Sequence, residues 1–331
     1  PLPGEPSGMI DPLRQEILKQ APTVVVKVGT NVLTAKDGRL EPSRIQALAD
    51  QIQRLRRSGR QIALVSSGAI GAGVGRLELG KRPADLRHLQ ACAAVGQSFL
   101  MRAYQESFDR HGIHTAQILL TASDFDHRTR YLNARNTILT LFELEVLPII
   151  NENDTVSIAE IKFGDNDHLA AMVTNLLQAP LLILLTNVDG LFTGDPGVDP
   201  NAEKITTVSN IDASVTDLAG ATKSPLGTGG MRSKLRAARL ATAAGETVIM
   251  ANGSVPGILD AIFAGEPVGT LFLPHREESL PAWKRWLGLT ARPKGKLLIN
   301  DGARSAVREK GKSLLPVGVV EVQGTFHKGD V

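Results

Sequence analysis

The chain has 331 residues, 42% hydrophobic and 21% charged, which is the balance of a folded globular protein rather than a disordered or fibrous one. A net charge of +3 is too small to argue for nucleic acid, and the longest apolar runs are too short to cross a bilayer as a helix. A single cysteine, Cys92, excludes a disulfide framework and a cysteine-built zinc site, and suits a reducing, cytoplasmic setting. With aromatics at only 4%, the core has to be aliphatic.

The first residues, PLPGEPSG, are rich in Pro and Gly and unlike a signal peptide. They read as a partly disordered leader, with Met9 a natural start. Pro12 to Gln20 can form one or two helical turns. The run Thr23-Val24-Val25-Val26-Lys27-Val28 is a buried strand closed by Gly29-Thr30-Asn31. A lysine at such a strand end is either a snorkelling surface residue or an ammonium aimed into a phosphate site. Ser43 is expected to cap a helix with Ile45, Leu48, Ile52 and Leu55 on one face. A second strand, Gln61 to Val65, runs into Ser66-Ser67-Gly68-Ala69-Ile70-Gly71-Ala72-Gly73-Val74-Gly75. The dinucleotide fingerprint fails there because Arg76 stands at the last glycine position. The nearby Gly75 to Lys81 run misses a Walker A loop because Arg82 replaces Ser/Thr. What remains is a glycine-rich turn whose amides could hold an anion.

A long amphipathic helix is expected over 84–110, with Leu86, Leu89, Ala93, Phe99, Leu100 and Ala103 as its core face, then a strand over 114–120. The polar segment 121–135 reads as a loop, either a lid, a subunit contact or plain solvated chain, before a helix over 136–144. A strand from Val146 to Ile150 is expected to stop at Asn151-Glu152-Asn153-Asp154. A second polar cluster, Asp165-Asn166-Asp167, opens a helix carrying Leu169, Met172, Val173 and Leu176. Asn and Asp are ordinary turn and cap residues. Two such clusters flanking one connection at a strand end point to a polar small-molecule pocket, where open α/β sheets bind ligands.

The run Leu181 to Leu185 is a buried strand ending in Thr186-Asn187-Val188-Asp189-Gly190. Gly227-Thr228-Gly229-Gly230 opens a helix from Met231 that carries Arg232, Lys234, Arg236 and Arg239. Glycine-rich backbone at a helix N-terminus with a lysine in the first turn suits phosphate; a flexible loop before a basic solvated helix is the plain alternative. Closing strands are expected near 247–250 and 269–272, with a helix over 255–264 between them. The fold class expected is α/β, a mostly parallel sheet covered by helices on both faces, followed by a small, incomplete β-rich module. The boundaries expected are a leader over 1–22, the α/β domain over 23–274, a linker over 275–291 and the module over 292–331. The module has strands near 296–299 and 317–322, a helical turn near 303–309, and another strand starting at 329–331. From His275 onward there are 11 Lys/Arg against 6 Asp/Glu, so the basic excess belongs to this end.

The blocks VVVKVGTNVLT, VSSGAIGAG, LQACAAVGQ, RYLNARNT, PIINENDTV with GDNDHLAA, LLTNVDGLFTGDP, PLGTGGMRSK and PVGTLFLP follow one another in order. In this order they resemble the amino acid kinase family, and within it the branch that phosphorylates L-glutamate. DGARSAVREKGKSLLPVGVVEVQG resembles the first half of a PUA module. The resemblance implies transfer from ATP to the γ-carboxylate of L-glutamate, giving γ-glutamyl phosphate, the entry step of proline biosynthesis. It implies Lys27 and Lys234 as the phosphoryl-stabilising pair and Asp167 as the acid that holds them. Ser67, Gly68, Asp154 and Asn166 would contact glutamate. Lys27, Gly29, Thr30, Thr186, Asn187, Thr228, Gly229, Gly230, Met231, Arg232, Ser233 and Lys234 would contact the nucleotide. Asn187 stands where an Asp is common, and Asn31 where a Ser is common. Mg2+ would arrive with ATP, with no separate protein metal site. Also implied are a homo-oligomer, proline as feedback inhibitor and coupling to γ-glutamyl phosphate reductase, with no membrane partner. Rival readings are a relative acting on another acceptor, and an RNA-binding factor, which the lack of an aromatic platform in the basic tail disfavours.

Overall fold

The computed structural model describes residues 10–35, 39–157, 166–219, 230–275 and 294–326. Its frame is an eight-stranded sheet in the order β3-β4-β2-β1-β5-β9-β10-β8. The strands are β1 (Thr23–Val28), β2 (Gln61–Ser66), β3 (Thr115–Leu120), β4 (Leu147–Glu152), β5 (Leu181–Thr186), β8 (Thr207–Val208), β9 (Thr247–Asn252) and β10 (Thr270–Phe272). Every pairing in this sheet is parallel except β9 with β10. A short antiparallel pair, β6 (Leu191–Phe192) with β7 (Lys204–Ile205), stands apart from it.

Side chains alternate along each strand, so each central strand feeds two cores. On one face Val24, Val26 and Val28 of β1 and Leu181, Ile183 and Leu185 of β5 pack under α1 (Pro12–Lys19), α3 (Pro42–Arg57), α5 (Leu86–Asp109) and α11 (Ile258–Phe263). On the other face Val25, Leu182, Leu184, Val248 and Met250 pack under α7 (Arg128–Glu143), α8 (Asn166–Leu177) and α10 (Met231–Ala244). Lys27 falls in register with Val25. Period two alone therefore sends its side chain to the face that α8 and α10 cover.

Several expectations are corrected. The α3 N-cap is Glu41, because Pro42 occupies the first helical position, where its missing N–H costs nothing; Ser43 lies inside the first turn. The glycine-rich stretch is not a loop. After Gly68, at φ 105°, it forms α4 (Ala69–Arg76). Its glycines serve close packing: a Cβ on Gly73 would lie 1.8 Å from the Cys92 carbonyl oxygen, and one on Gly96 of α5 would lie 1.8 Å from that of Ala69. The two helix backbones touch, and only glycine allows that. Phe99 faces outward from α5, with the Arg76 guanidinium 4.7 Å above its ring; the buried face keeps the expected Ala93 and Leu100 and adds Cys92, Gly96, Tyr104 and Phe108.

The polar segment after β3 is also helical. Thr121 and Asp124 form a capping box for α6 (Ala122–Asp126), and α7 begins at Arg128. Phe125 and Tyr131 anchor this segment in the core, with ring centroids 6.4 Å apart. Strand β4 continues through Asn151 and Glu152 rather than stopping at Ile150, and both side chains are buried. Helix α11 is shorter than expected, at 258–263.

Helix α1 is stitched to the far edge of the domain. Leu18 packs into the core, and the buried Arg14 donates to the carbonyls of Val268 (2.6 Å), Thr206 (2.9 Å) and Glu266 (3.3 Å). At the C-terminal end, β11 (Gly295–Ile299) pairs antiparallel with β12 (Val319–Gly324). Between them lie α12 (Asp301–Arg308) and a 3-10 turn at Pro316–Gly318, which takes the first residues expected to be strand. The strand expected at 329–331 lies outside the described residues.

Candidate active site

The carboxyl ends of β1, β2, β4, β5 and β9 lie along one edge of the sheet, as the pairings of Val28 with Ser66 and of Thr186 with Asn252 require. From β1 the chain moves to β2 on one side, and β5 and β9 lie on the other. This reversal leaves a crevice beside the end of β1, the general location for ligands in open α/β sheets.

Three charged side chains meet there. Helix α8 connects β4 to β5 and crosses over β1, which sets its first turn beside the Lys27 end of that strand. Asp167, 1% exposed, takes the Lys27 ammonium on Oδ1 and the Lys234 ammonium on Oδ2, the latter at 2.9 Å. Lys27 and Lys234 are themselves 5% and 7% exposed. Burial pushes the Asp167 carboxyl up. The two ammonium charges and their hydrogen bonds outweigh that, so it sits below the ordinary carboxylate range. Its place in the first turn of α8 adds the favourable end of the helix dipole. One anion thus holds two cations that come from opposite parts of the chain, β1 and α10.

The other expected residues are distributed around this group. Gly29 caps the short α2 (Thr30–Leu33) and donates its N–H to the Leu185 carbonyl at 3.1 Å. That bond places Gly29 and Thr30 between β1 and β5. Ser67 donates its N–H to the Val28 carbonyl at 3.2 Å, and Gly68 turns the chain into α4, so both lie beside the end of β1. Asn166 donates from Nδ2 to the Ser66 carbonyl (2.5 Å) and to Asn151 Oδ1 (2.7 Å). Asp154 is half-buried in the turn after β4. Thr186 is buried at the end of β5, and Asn187 is exposed. Gly253 donates to the Thr186 carbonyl at 2.8 Å, and Asn252 Nδ2 donates to Asp189 Oδ1 at 2.8 Å, which ties the turn after β5 to the end of β9. Gly230 is the N-cap of α10; Met231 and Ser233 are half-buried and Arg232 is exposed. Thr228 and Gly229, like Asp165, lie outside the described residues.

Reading the sequence singled out Asn151, Glu152 and Ser66 but missed the groups that hold them, Gln97, Gln117, Gln90 and Tyr104. Asn151 Nδ2 donates to Gln97 Oε1 (2.8 Å), and Gln97 Nε2 donates to Gln117 Oε1 (3.1 Å). Ser157 Oγ donates to Glu152 Oε1 (2.8 Å) while Gln90 Nε2 donates to the Ser157 carbonyl (3.1 Å), pinning the turn after β4 to α5. Ser66 Oγ and the buried Tyr104 hydroxyl share a 2.8 Å hydrogen bond; burial pushes the Tyr104 phenol up. A glutamine beside the apolar face of a long helix was the available signal for Gln97. Among the described residues, no group of three or more His, Cys, Asp or Glu is placed to hold a metal ion, and no helix is long and apolar enough to cross a membrane.

The class is that of the phosphotransferases of the amino acid kinase type: the chain belongs to the amino acid kinase family, whose model matches residues 22–252. The PUA domain model matches residues 295–331. More particularly, the chain is 49% identical over 317 residues to "Glutamate 5-kinase" of Geobacter metallireducens, covering 96% of this chain and 85% of that one. It is 48% identical over 314 residues to the protein of the same name in Nitrosococcus oceani, covering 95% and 84%. Among solved structures, carbamate kinase from Giardia lamblia bound to AMP-PNP superposes with a TM-score of 0.56 at 18% identity, covering 76% of this chain and 98% of that one; this bears on the fold alone.

Proposed function

We propose that the chain transfers the γ-phosphoryl group of ATP to the γ-carboxylate of L-glutamate, giving γ-glutamyl phosphate and ADP, the first step of proline biosynthesis. The observation that carries this reading is the pair of buried ammonium groups held on the single Asp167 carboxylate at the carboxyl edge of the sheet. The degree of identity to proteins named for glutamate supports the choice of acceptor.

The chemistry asks little of a general base. A carboxylate acceptor is ionised at neutral pH, so catalysis reduces to alignment and to neutralising charge on the moving phosphoryl group. Lys27 and Lys234 supply two positive charges in a site where burial strengthens them. Asp167 holds both ammonium groups in place before the nucleotide arrives. Backbone N–H groups of Thr30 and Gly68, in the turns after β1 and β2, would face the phosphoryl oxygens, while Gly29, its own N–H given to the Leu185 carbonyl, would let the phosphates approach the chain closely. The N-terminal turn of α10, Gly230 to Lys234, would take the rest of the polyphosphate, with Thr186 and Asn187 at the nucleotide. Ser67, Asp154 and Asn166 would hold glutamate, with Asp154 as partner of its α-ammonium. Both Asp167 oxygens are engaged by lysines, so Mg2+ would be held by the phosphates and water and would screen their charge.

A cytoplasmic homo-oligomer, feedback by proline and coupling to γ-glutamyl phosphate reductase belong to this reading. The last follows from the reactivity of an acyl phosphate, which water consumes unless a second enzyme does. The test is ADP release at fixed ATP with L-glutamate, carbamate, L-aspartate, N-acetyl-L-glutamate and UMP as separate acceptors. L-Glutamate should exceed each of the others by at least about 100-fold in kcat/KM, on the order of 3 kcal/mol of transition-state discrimination. A preference for any other acceptor would overturn the reading.

A further inference from the structure

The row of four amides behind the site has a direction, and two backbone groups set it. The Glu152 N–H can only donate, and it donates to Asn151 Oδ1 at 2.9 Å. Asn151 must therefore turn its Nδ2 the other way, towards Gln97 Oε1 at 2.8 Å. Gln97 in turn directs Nε2 to Gln117 Oε1 on the edge strand β3, at 3.1 Å. At the opposite end the Ser66 carbonyl can only accept, and it takes Asn166 Nδ2 at 2.5 Å. The second Asn166 amide hydrogen goes to Asn151 Oδ1 at 2.7 Å. Both hydrogens of Asn166 are thus committed to the protein. The group it has left for a ligand is its carbonyl oxygen, an acceptor.

We propose that Gln97 is a positioning residue: by accepting from Asn151 Nδ2 it holds Asn151 in the orientation that the Glu152 N–H selects, which keeps Asn151 Oδ1 available to Asn166, so that Asn166 presents an acceptor to the crevice and selects a substrate carrying an ammonium group. The inference rests on Asn166 lining the acceptor-substrate pocket, as proposed above. It gives a reason to expect that an amine-free dicarboxylate is disfavoured: a carboxylate or a hydrocarbon offered to that oxygen leaves it without a donor. Asn151 is 2% exposed, so its amide has no water to substitute for Gln97. Gln97 lies three helical turns from Asp85, the N-cap of α5, and it touches neither Lys27 nor Asp167 among the described contacts.

The experiment compares L-glutamate with glutarate, which lacks the α-ammonium, in the full-length enzyme and in Gln97→Leu, Gln97→Glu, Gln117→Leu and Asn166→Ala, with thermal melts to establish folding. Gln97→Leu removes the acceptor for Asn151 and should raise KM for L-glutamate at least tenfold. Its KM for ATP should stay within twofold, and its preference for L-glutamate over glutarate should fall at least fivefold. Gln97→Glu keeps an acceptor facing Asn151 Nδ2 and should recover most of the glutamate KM. Gln117→Leu, which keeps Gln97 but frees its outer end, should fall between Gln97→Leu and wild type. If Asn166→Ala raises the glutamate KM but Gln97→Leu does not, the polarity lock is wrong while the pocket stands. If Asn166→Ala leaves the glutamate KM unchanged, the pocket reading itself fails. Equal changes in both KM values and in kcat for Gln97→Leu, unrescued by Gln97→Glu, would make Gln97 merely structural and overturn the proposal.

Discussion

Replacing Asp167 by Asn removes the anion on which the site is built while conserving its shape. In the wild type that carboxylate is 1% exposed and holds Lys27 on one oxygen and Lys234 on the other, 2.9 Å away. A close ion pair is worth about 4 kcal/mol at a separation of about 4 Å and an effective dielectric of about 20. Removing one partner of a buried pair costs about 3–5 kcal/mol, because the charge left behind is uncompensated. Here that one carboxylate serves two ammonium groups. Asp167→Asn should therefore lower the stability of the nucleotide-free protein by about 3–5 kcal/mol. A bound polyphosphate replaces the lost anion. The gain in melting temperature on adding a non-hydrolysable ATP analogue at a saturating concentration should be larger for the variant than for the wild type, while turnover falls at least a hundredfold. The assay is a thermal melt with and without the analogue, followed by steady-state kinetics. A variant as stable as wild type, with an unaltered response to nucleotide, would refute the electrostatic reasoning.

The same group sets an acid limit. Because the folded Asp167 carboxyl lies below its ordinary value of 3.8, its contribution is fully present above that pH and is lost as the pH falls through the lower, folded value. Urea melts below that pH should show a steeper loss for wild type than for Asp167→Asn. Lys234→Ala should fold and lose most turnover, measured by ADP release; near-normal activity would remove it from the site. Asp154→Ala should raise the L-glutamate KM far more than the ATP KM, and equal effects would place it in the wrong pocket. Gly96→Ala puts a methyl group 1.8 Å from the Ala69 carbonyl oxygen and should cost about 1–3 kcal/mol in denaturant unfolding as α4 and α5 are forced apart.

What the sequence disclosed depended on how local the physics is. The alternation of β1 is local, and it already assigned Lys27 to one face of the sheet. The polar pair Asn166-Asp167 ahead of an apolar helix likewise marked the start of α8. Which face faces which helix is not local: Lys27 reads equally as a snorkelling surface residue and as an ammonium aimed into a phosphate site until α8 and α10 cover it. The glycine-rich run reads as a loop because glycine is a poor helix former, by about 1 kcal/mol per residue. Its helicity is imposed by contact with α5, through Gly73 against Cys92 and Gly96 against Ala69. Segment 121–135 misleads for the converse reason, since only Ala122, Phe125 and Tyr131 of a polar stretch are buried in the core. Arg14 carries no local sign at all, because its carbonyl partners are 192 to 255 residues away in sequence. The amide row from Gln117 to Asn166 joins four elements, and its direction follows from two backbone groups visible only once those elements are assembled.

The most direct measurement is interception of the product. γ-Glutamyl phosphate is an acyl phosphate, and hydroxylamine converts it to a hydroxamate that water and phosphate esters do not give. With L-glutamate and Mg-ATP, wild type should form γ-glutamyl hydroxamate in step with ADP, and Lys27→Ala and Lys234→Ala should each lose both. ADP release with no hydroxamate, or hydroxamate formed at wild-type rate without either lysine, would contradict phosphoryl transfer to a carboxylate between those two ammonium groups.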